Sequence, residues 1–377
     1  MPRIHLFNPE NDLALAFGGS NYTPPANALA LHNAGAALPL FYGERGDMVI
    51  GGEIDKSWVA EMVDRFDLGV SLFDGYYPLE CEASPWGWSL DARRQLEQAG
   101  VNQNALISPE QIECLRQLSH RRLTVEVMAQ LAQSLPFEIP ARPIEATTPK
   151  QVLDYHKEHG GCYVKLPWSS SGRGVFDASG LTDDALLSRV KGMINRQGSV
   201  MCEQRLDKVE DFAMLFYSDG RQVKRVGYSA FYNEHGASYG GNIVANDDIL
   251  GRRLGRIVGE DRLRLISEAL QSILTLIIAP HYKGYFGVDM LAYTDGSQVL
   301  VAPCVEINLR MTMGVVAWRL AQTVLADGLS ARFSVSYGGS VQPARMAAIE
   351  NNRLIAGTVS LIPPHKNFNI TLEVIED

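Results

Sequence analysis

Cysteine is sparse in this chain and never closely spaced. The five cysteines (Cys81, Cys114, Cys162, Cys202 and Cys304) are odd in number and show no Cys-x-x-Cys pattern. Neither a zinc site nor a disulfide framework is implied, and reduced core residues of a cytoplasmic protein are expected. Long apolar runs are missing as well. The longest, ILTLIIA at 273–279, is too short to cross a bilayer. The strand-like RIHLF follows the first two residues directly, so no signal peptide is expected. A basic excess is also absent. The net charge of −9 and pI near 5.5, with no basic stripe interleaved with aromatics, argue against a nucleic-acid partner. Repeats and low-complexity segments do not occur.

What is present is enough apolar material for more than one core. The 377 residues, 46% of them hydrophobic, suggest two or three domains. The most informative stretch is CVEINLRMTMG at 304–314. With a strand's period of two, Val305, Ile307 and Leu309 fall on one face, and Glu306, Asn308 and Arg310 on the other. Carboxylate and amide oxygens are hard ligands suited to Mg²⁺, and a guanidinium is a planar donor suited to phosphate. Taken alone, the stretch reads sooner as a half-exposed edge strand with a solvated polar face.

Upstream, GYFGVDML at 284–291 reads as the preceding strand, with TDGS at 294–297 as the turn between them. Asp289 interrupts a run that is otherwise apolar on both faces. A carboxylate there must be paired, hydrogen-bonded or metal-bound, because an isolated buried charge costs too much. A salt bridge to a core Arg or Lys is the alternative to a metal.

A phosphate site would complete such a pair, and YVKLPWSSSGRGV at 163–175 offers one. A short strand delivers Lys165. Ser169, Ser170, Ser171, Gly172 and Gly174 follow in a loop with closely spaced N–H groups and hydroxyls, able to wrap phosphate oxygens. No Gly-Lys-Ser/Thr follows and no Gly-x-Gly-x-x-Gly opens a helix here, so this is neither a Walker loop nor a Rossmann turn. VMCEQ at 200–204 is a further strand, with Glu203 and Glu210 seven residues apart. The segment leaving it can offer backbone groups to an adenine edge, and an acid such as Glu210 can accept from ribose hydroxyls. Both acids also fit a charged, solvated linker.

Strand lysine, Ser/Gly loop, paired glutamates, Asp289 and then Glu-x-Asn-x-Arg, in that order, resemble the ATP-grasp superfamily over residues 119 to about 325. The resemblance implies ATP and Mg²⁺ as cofactors. On it, Lys165 contacts the α- and β-phosphates, and the 169–174 loop closes over the β- and γ-phosphates. Glu203, Gln204 and Leu206 flank adenine, and Glu210 holds the ribose. Asp289, Glu306 and Asn308 hold Mg²⁺, with Arg310 beside the transferring phosphoryl group. Lys165 and Arg310 are thus the candidate catalytic residues. Two features depart from the family. The usual lysine at the start of the first helix is replaced by Arg121 or Arg122, and an arginine fork is not a neutral exchange for an ammonium. The connection from Asp289 to Glu306 is long, and Pro303 before the metal strand implies a bulge or an edge position.

The expected fold class is α/β (α+β): an open N-terminal domain like the one preceding the ATP-grasp core, then a two-subdomain ATP-grasp fold. The boundaries are 1–118, 119–205 with the phosphate loop, and 206–377 with the Mg²⁺ site. In the first domain, strands are expected at 3–7, 39–42, 70–73 and 105–108, and helices at 25–38, 57–66 and 89–99, an alternation that argues for a mostly parallel sheet. Ser108-Pro-Glu-Gln opens a capped helix. Residues 7–18, FNPENDLALAFG, place Asn8, Glu10, Asn11 and Asp12 just after the first strand, at the customary ligand edge of an open α/β sheet. Asn8, Glu10 and Asn11 are candidate substrate contacts, with helix capping as the alternative. SPWGWS at 84–89 sets two tryptophans in a turn, as ligand contacts or as packing at an interdomain seam. Further on, helices are expected from Thr148-Pro149 to Gly160, from Thr182 to Gly198 and over 261–277, with a hairpin at 212–232 around Asp219-Gly220. From 326 onward only strand-like runs at 354–362 and 368–375 are legible.

The implied activity is an ATP-dependent ligase that forms an amide or thioester bond through an acyl phosphate. A kinase on the same scaffold and a non-catalytic nucleotide sensor are the alternatives. Expected partners are a small-molecule or peptide carboxylate and an amine, with no nucleic acid or membrane, and with a homodimer left open.

Overall fold

The computed structural model describes residues 1–377 apart from 78–79, 170–171, 173, 235–237, 339–345 and 376–377. The chain starts with a parallel four-stranded sheet of β1 (Arg3–Leu6), β2 (Met48–Val49), β3 (Ser71–Leu72) and β4 (Glu82–Pro85), in the order β3-β2-β1-β4. Helices α1 (Asn11–Phe17), α2 (Ala26–Gly35), α3 (Pro39–Tyr42), α4 (Lys56–Phe66) and α5 (Leu90–Gln98) alternate with it, and α6 (Pro109–Leu118) follows. The Asp55, Ser89 and Ser108 side chains cap α4, α5 and α6, the last with a full capping box.

Two expected strands are corrected here. Residues 39–42 form the short helix α3, because Pro39 sits in its first turn and all four side chains are buried. Residues 103–105 make a 3₁₀ turn capped by Asn102, and 106–108 stay outside the sheet. The strands that take those places are β2, two residues long, and β4, short and polar, and neither stands out in the sequence. The run 7–18 is mostly α1, closed by Gly18 in the left-handed region at φ 75°.

After α7 (Arg122–Ser134) comes an antiparallel sheet of β5 (Ile144–Ala146), β6 (Cys162–Lys165), β7 (Val175–Asp177) and β8 (Val200–Gln204), in the order β5-β8-β6-β7. Helices α8 (Pro149–Glu158) and α9 (Asp183–Gln197) cover it. This unit has its own small core, with Val152, Val164, Leu186, Val190 and Val200 at its centre.

The largest sheet has eight antiparallel strands, in the order β13-β12-β9-β10-β11-β14-β18-β17. They are β9 (Asp207–Asp219), β10 (Val223–Glu234), β11 (Ser238–Val244), β12 (Lys283–Asp295), β13 (Gln298–Asn308), β14 (Ala331–Tyr337), β17 (Thr358–Ser360) and β18 (Phe368–Val374). Helices α10 (Asp247–Val258) and α11 (Glu260–Ile277) pack on one face together with α7, where Val127 and Leu131 join Ile266, Leu270 and Ile307. On the other face α12 (Met313–Thr323) and the last strands meet the N-terminal domain. Val316, Leu320, Ile370 and Leu372 share a core with Leu38, Phe41 and Phe66. The residues beyond 326 therefore extend the large sheet and bury the back of the first domain. A small hairpin, β15 (Ala348–Glu350) and β16 (Arg353–Ala356), lies beside them. Among the described residues no helix is long and apolar enough to cross a membrane.

Pro303 sits where the sequence suggested. Its strand β13 is the edge of the large sheet, and the β12–β13 register shifts between Asp289↔Glu306 and Leu291↔Ala302. A residue without an N–H is tolerated at such a bulge.

Candidate active site

Strand alternation brings the acidic residues together. Asp289 on β12 and Glu306 on β13 are direct cross-strand partners, so their side chains leave the same face of the sheet. Asn308, two residues on, shares that face and donates from Nδ2 to Asp289 Oδ2 at 3.0 Å. Its Oδ1 accepts from Arg310 Nη2 at 3.0 Å. Burial, together with the nearby Glu306 charge, pushes the Asp289 carboxyl up to about 7, against the pull of Asn308 and Arg310. Glu306 moves the other way. Burial would raise it, but Arg121, Lys165 and Arg310 outweigh burial and hold it below the usual range.

Arg121, at the start of α7, supplies much of that charge. Its Nη2 lies 2.6 Å from Glu306 Oε1, and its other donors reach Leu166 O, Ser169 Oγ at 2.7 Å and Ser169 O at 2.9 Å. One buried guanidinium thus ties the edge strand to the start of the Ser/Gly loop, while its Nε has no partner. Arg122 points elsewhere, half-exposed and 3.9 Å from Glu145. Trp168 fixes the same end of the loop. Its ring N–H donates to Arg116 O at 3.1 Å, and Gln197 bonds both its backbone N–H and its C=O at 3.0 Å. Gly172 and Gly174 adopt φ of 71° and 74°, a region costly for other residues. Ser170 and Ser171 lie outside the described residues.

Lys165 ends β6, and its ammonium pairs with Glu203 on neighbouring β8. Glu210 on β9 pairs with Arg253 of α10 at 2.7 Å. Gln204 and Leu206, half-buried, lie between these two ion pairs on the segment joining the small sheet to the large one. The candidate nucleotide residues therefore line the junction between the two sheets, with the Asp289–Glu306 pair at its edge-strand side.

The candidate substrate residues are occupied by the fold. Asn8 is buried and exchanges two hydrogen bonds with Gly87, from Nδ2 to its C=O at 2.9 Å and to Oδ1 from its N–H at 3.3 Å. Asn11 packs against the same turn, where a Cβ on Gly87 would lie 2.4 Å from the Asn11 amide. Glu10 is buried against His32 Nδ1 at 2.9 Å. Trp86 packs edge-on against Phe7 and Tyr42, and its C=O accepts from Met311 N–H at 2.8 Å, so this turn is the seam between domains. The sequence left one site neighbour unassigned, Asp12. Its carboxylate binds Arg310 Nε at 3.0 Å and Nη2 at 2.6 Å. An acid in the first turn after a leading β-strand was its only sequence signal.

The donor set fits Mg²⁺. Two carboxylates facing each other and an amide oxygen with one lone pair to spare are hard ligands, and the crowding that raises Asp289 is relieved by a divalent cation. Among the described residues no group of three or more His, Cys, Asp or Glu is placed to hold a metal. Water and phosphate oxygens would have to complete the shell, as they usually do for this ion.

No family model and no curated protein matches this chain. Solved structures do match, across almost its whole length. The biotin carboxylase domain of Hydrogenobacter thermophilus 2-oxoglutarate carboxylase, described as a dimer with MgADP, ADP and bicarbonate, covers 99% of this chain and 85% of its own, at 11% identity and a TM-score of 0.53. Phosphoribosylamine–glycine ligase from Thermotoga maritima covers 99% and 92%, at 10% identity and 0.51. N5-carboxyaminoimidazole synthetase from Staphylococcus aureus, complexed with ADP, covers 100% and 94%, at 12% identity and 0.50. The fold is ATP-grasp. At these identities the likeness concerns the fold. Within the ATP-grasp framework the small sheet β5–β8 is the unit that carries Lys165 and the Ser/Gly loop. The edge of the large sheet carries Asp289, Glu306 and Asn308.

Proposed function

We propose that this chain is an ATP-dependent ligase that activates a substrate carboxylate as an acyl phosphate and joins it to an amine (or, in the thioester variant, a thiol), releasing ADP and phosphate. The observation that carries this reading is the convergence of three cations, Arg121, Lys165 and Arg310, with Asp289, Glu306 and Asn308 at one junction of two sheets. The fold shared with a domain bound to MgADP and bicarbonate, and with an enzyme named as a ligase, supports it.

Phosphoryl transfer needs little covalent help from protein groups; positioning and charge neutralisation supply most of the acceleration. Lys165 would exchange its Glu203 contact for the α- and β-phosphates. Ser169, Ser170, Ser171, Gly172 and Gly174 would enclose the outer phosphates, and Arg121 anchors that loop to the metal strand. Glu203, Gln204 and Leu206 would border the adenine, and Glu210, drawn from Arg253, would accept from the ribose. Asp289, Glu306 and Asn308 would hold Mg²⁺, which when bound supplies positive charge to the transferring phosphoryl group. Arg310 would orient the phosphoryl oxygens, and closure of the small sheet would exclude water that could hydrolyse an acyl phosphate. ATP use and five unpaired cysteines suit a cytoplasmic setting.

The test is a screen of amino acids and small peptides for stimulated release of ADP and phosphate with Mg-ATP. Oxygen-18 placed in the substrate carboxylate should appear in the released phosphate. Label retained in the acid, with a phosphorylated alcohol as product, would replace the ligase by a kinase. AMP and pyrophosphate as products would refute both.

A further inference from the structure

The bidentate pair between Asp12 and Arg310 joins residues 298 positions apart, and both partners are held from outside the pair. Asp12 lies in the first turn of α1, whose start is bonded to Asn8 (Asn11 N–H to Asn8 C=O, 3.2 Å), and Asn8 is pinned to Gly87. Arg310 lies one residue before Met311, whose N–H donates to Trp86 O at 2.8 Å. The two-residue turn Trp86-Gly87 therefore fixes both ends of the ion pair.

The guanidinium is nearly saturated in this arrangement. Nε and Nη2 serve Asp12, Nη2 also serves Asn308 Oδ1, and Nη1 donates to Met311 O at 3.1 Å. Asn308 then turns its Nδ2 to Asp289. The result is a chain, Asp12–Arg310–Asn308–Asp289, running from the first domain to a candidate metal carboxylate. The other acids acting on Arg310 are Glu306 and Asp289 themselves. An arginine deprived of Asp12 has those two carboxylates as its next strongest attraction.

We infer that Asp12 is a positioning residue: it draws Arg310 away from Asp289 and Glu306, so that Arg310 does not compete with a divalent cation for those carboxylates. This inference rests on the proposed nucleotide–Mg²⁺ site. Asp12 is not among the proposed nucleotide or metal contacts, and acts through Arg310 and Asn308. It also explains why the first domain presents an acid at a site built for anionic ligands, where an acid would otherwise oppose binding.

The test compares wild type with Asp12→Asn and Asp12→Glu, using ADP binding measured by calorimetry over a series of Mg²⁺ concentrations. In Asp12→Asn the Mg²⁺ concentration giving half-maximal ADP affinity should rise about tenfold, the effect of losing one charge-assisted pair. ADP affinity at saturating Mg²⁺ should stay close to wild type. Asp12→Glu keeps the charge and should recover most of the Mg²⁺ dependence. It also guards against a folding defect in the first variant, which circular dichroism would reveal. A purely structural role would lower the melting temperature without moving the Mg²⁺ midpoint, and an unmoved midpoint in folded Asp12→Asn overturns the inference. Wild type that binds no ADP in the presence of Mg²⁺ overturns the site itself, and is distinguished by needing no variant.

Discussion

Asp289 and Glu306 stand directly opposite one another on adjacent antiparallel strands, two acids where a sheet would ordinarily pair opposite charges. Like charges placed so are destabilising unless something neutralises them. Arg121 does part of this for Glu306, and Asn308 part for Asp289. Glu306→Gln should keep the fold, because Arg121 retains Leu166 O and both Ser169 oxygens. Turnover should fall by at least about a hundredfold, as for other losses of transition-state charge stabilisation. The melting temperature should shift by only a few degrees. Full activity in this variant, with equal ATP affinity in the presence and absence of Mg²⁺, would remove the metal assignment.

Arg121→Lys tests the fork. A lysine can still reach Glu306 but cannot at the same time satisfy Leu166 O, Ser169 Oγ and Ser169 O. Stability should fall by roughly 1–3 kcal/mol, the cost of leaving buried acceptors unpaired. Hydrogen exchange should rise in the peptide covering 166–169. Unchanged exchange would show that Trp168 and Gln197 alone hold the loop.

How much of this was legible in the sequence follows from range. Glu306, Asn308 and Arg310 share a face because strands alternate, and alternation is local, so their common direction could be read directly. Helices α6, α8 and α9 carry side-chain caps at their starts, and the 212–232 hairpin carries its turn residues at its tip. The segment Pro39–Tyr42 was misread because a short apolar run does not distinguish strand from helix. Strands β2 and β4 were missed because their two and four residues carry almost no pattern. The Asp12–Arg310 pair has no local signature at all. Only the fold brings α1 to the end of β13, and the same holds for Glu203 with Lys165 and for Glu210 with Arg253.

His120 makes stability depend on pH. It packs edge-on against Trp168, accepts the Arg122 N–H at Nδ1, and is buried. Burial, together with Arg122, Arg116 and Arg121, pushes it down to about 4, against Glu145. The folded imidazole therefore stays neutral while the unfolded one takes up a proton below its ordinary value near 6.5. Proton uptake by the unfolded chain favours unfolding, so this contribution to stability is lost as pH falls from about 6.5 to about 4 and levels off below. The loss should be on the order of 2 kcal/mol. Urea unfolding at pH 7, 5.5 and 4.5 should show wild type losing more stability than His120→Gln, which cannot titrate. Parallel curves for the two proteins would mean that His120 is protonated in the folded state.

The glycines of the proposed phosphate loop make the sharpest separation between binding and turnover. Gly174 sits at φ 74°, and a Cβ there would lie 2.7 Å from Leu166 Cδ1. Leu166 is also the residue whose N–H bonds to Gly174 O and whose C=O accepts from Arg121. Alanine at 174 therefore meets two costs: about 1–2 kcal/mol for a left-handed backbone, and a displaced Leu166 that disturbs the Arg121 anchor. Gly172→Ala meets the same backbone cost, at φ 71°. Both variants should lower turnover more than they weaken ADP binding, because ADP lacks the phosphate that the loop would enclose. The measurements are kcat for Mg-ATP hydrolysis or ligation beside the ADP dissociation constant, with hydrogen exchange of the 168–175 peptide in the free and ATP-bound protein. Equal loss in both parameters, or identical protection of that peptide with and without ATP, would leave residues 169–174 as an ordinary connection between β6 and β7.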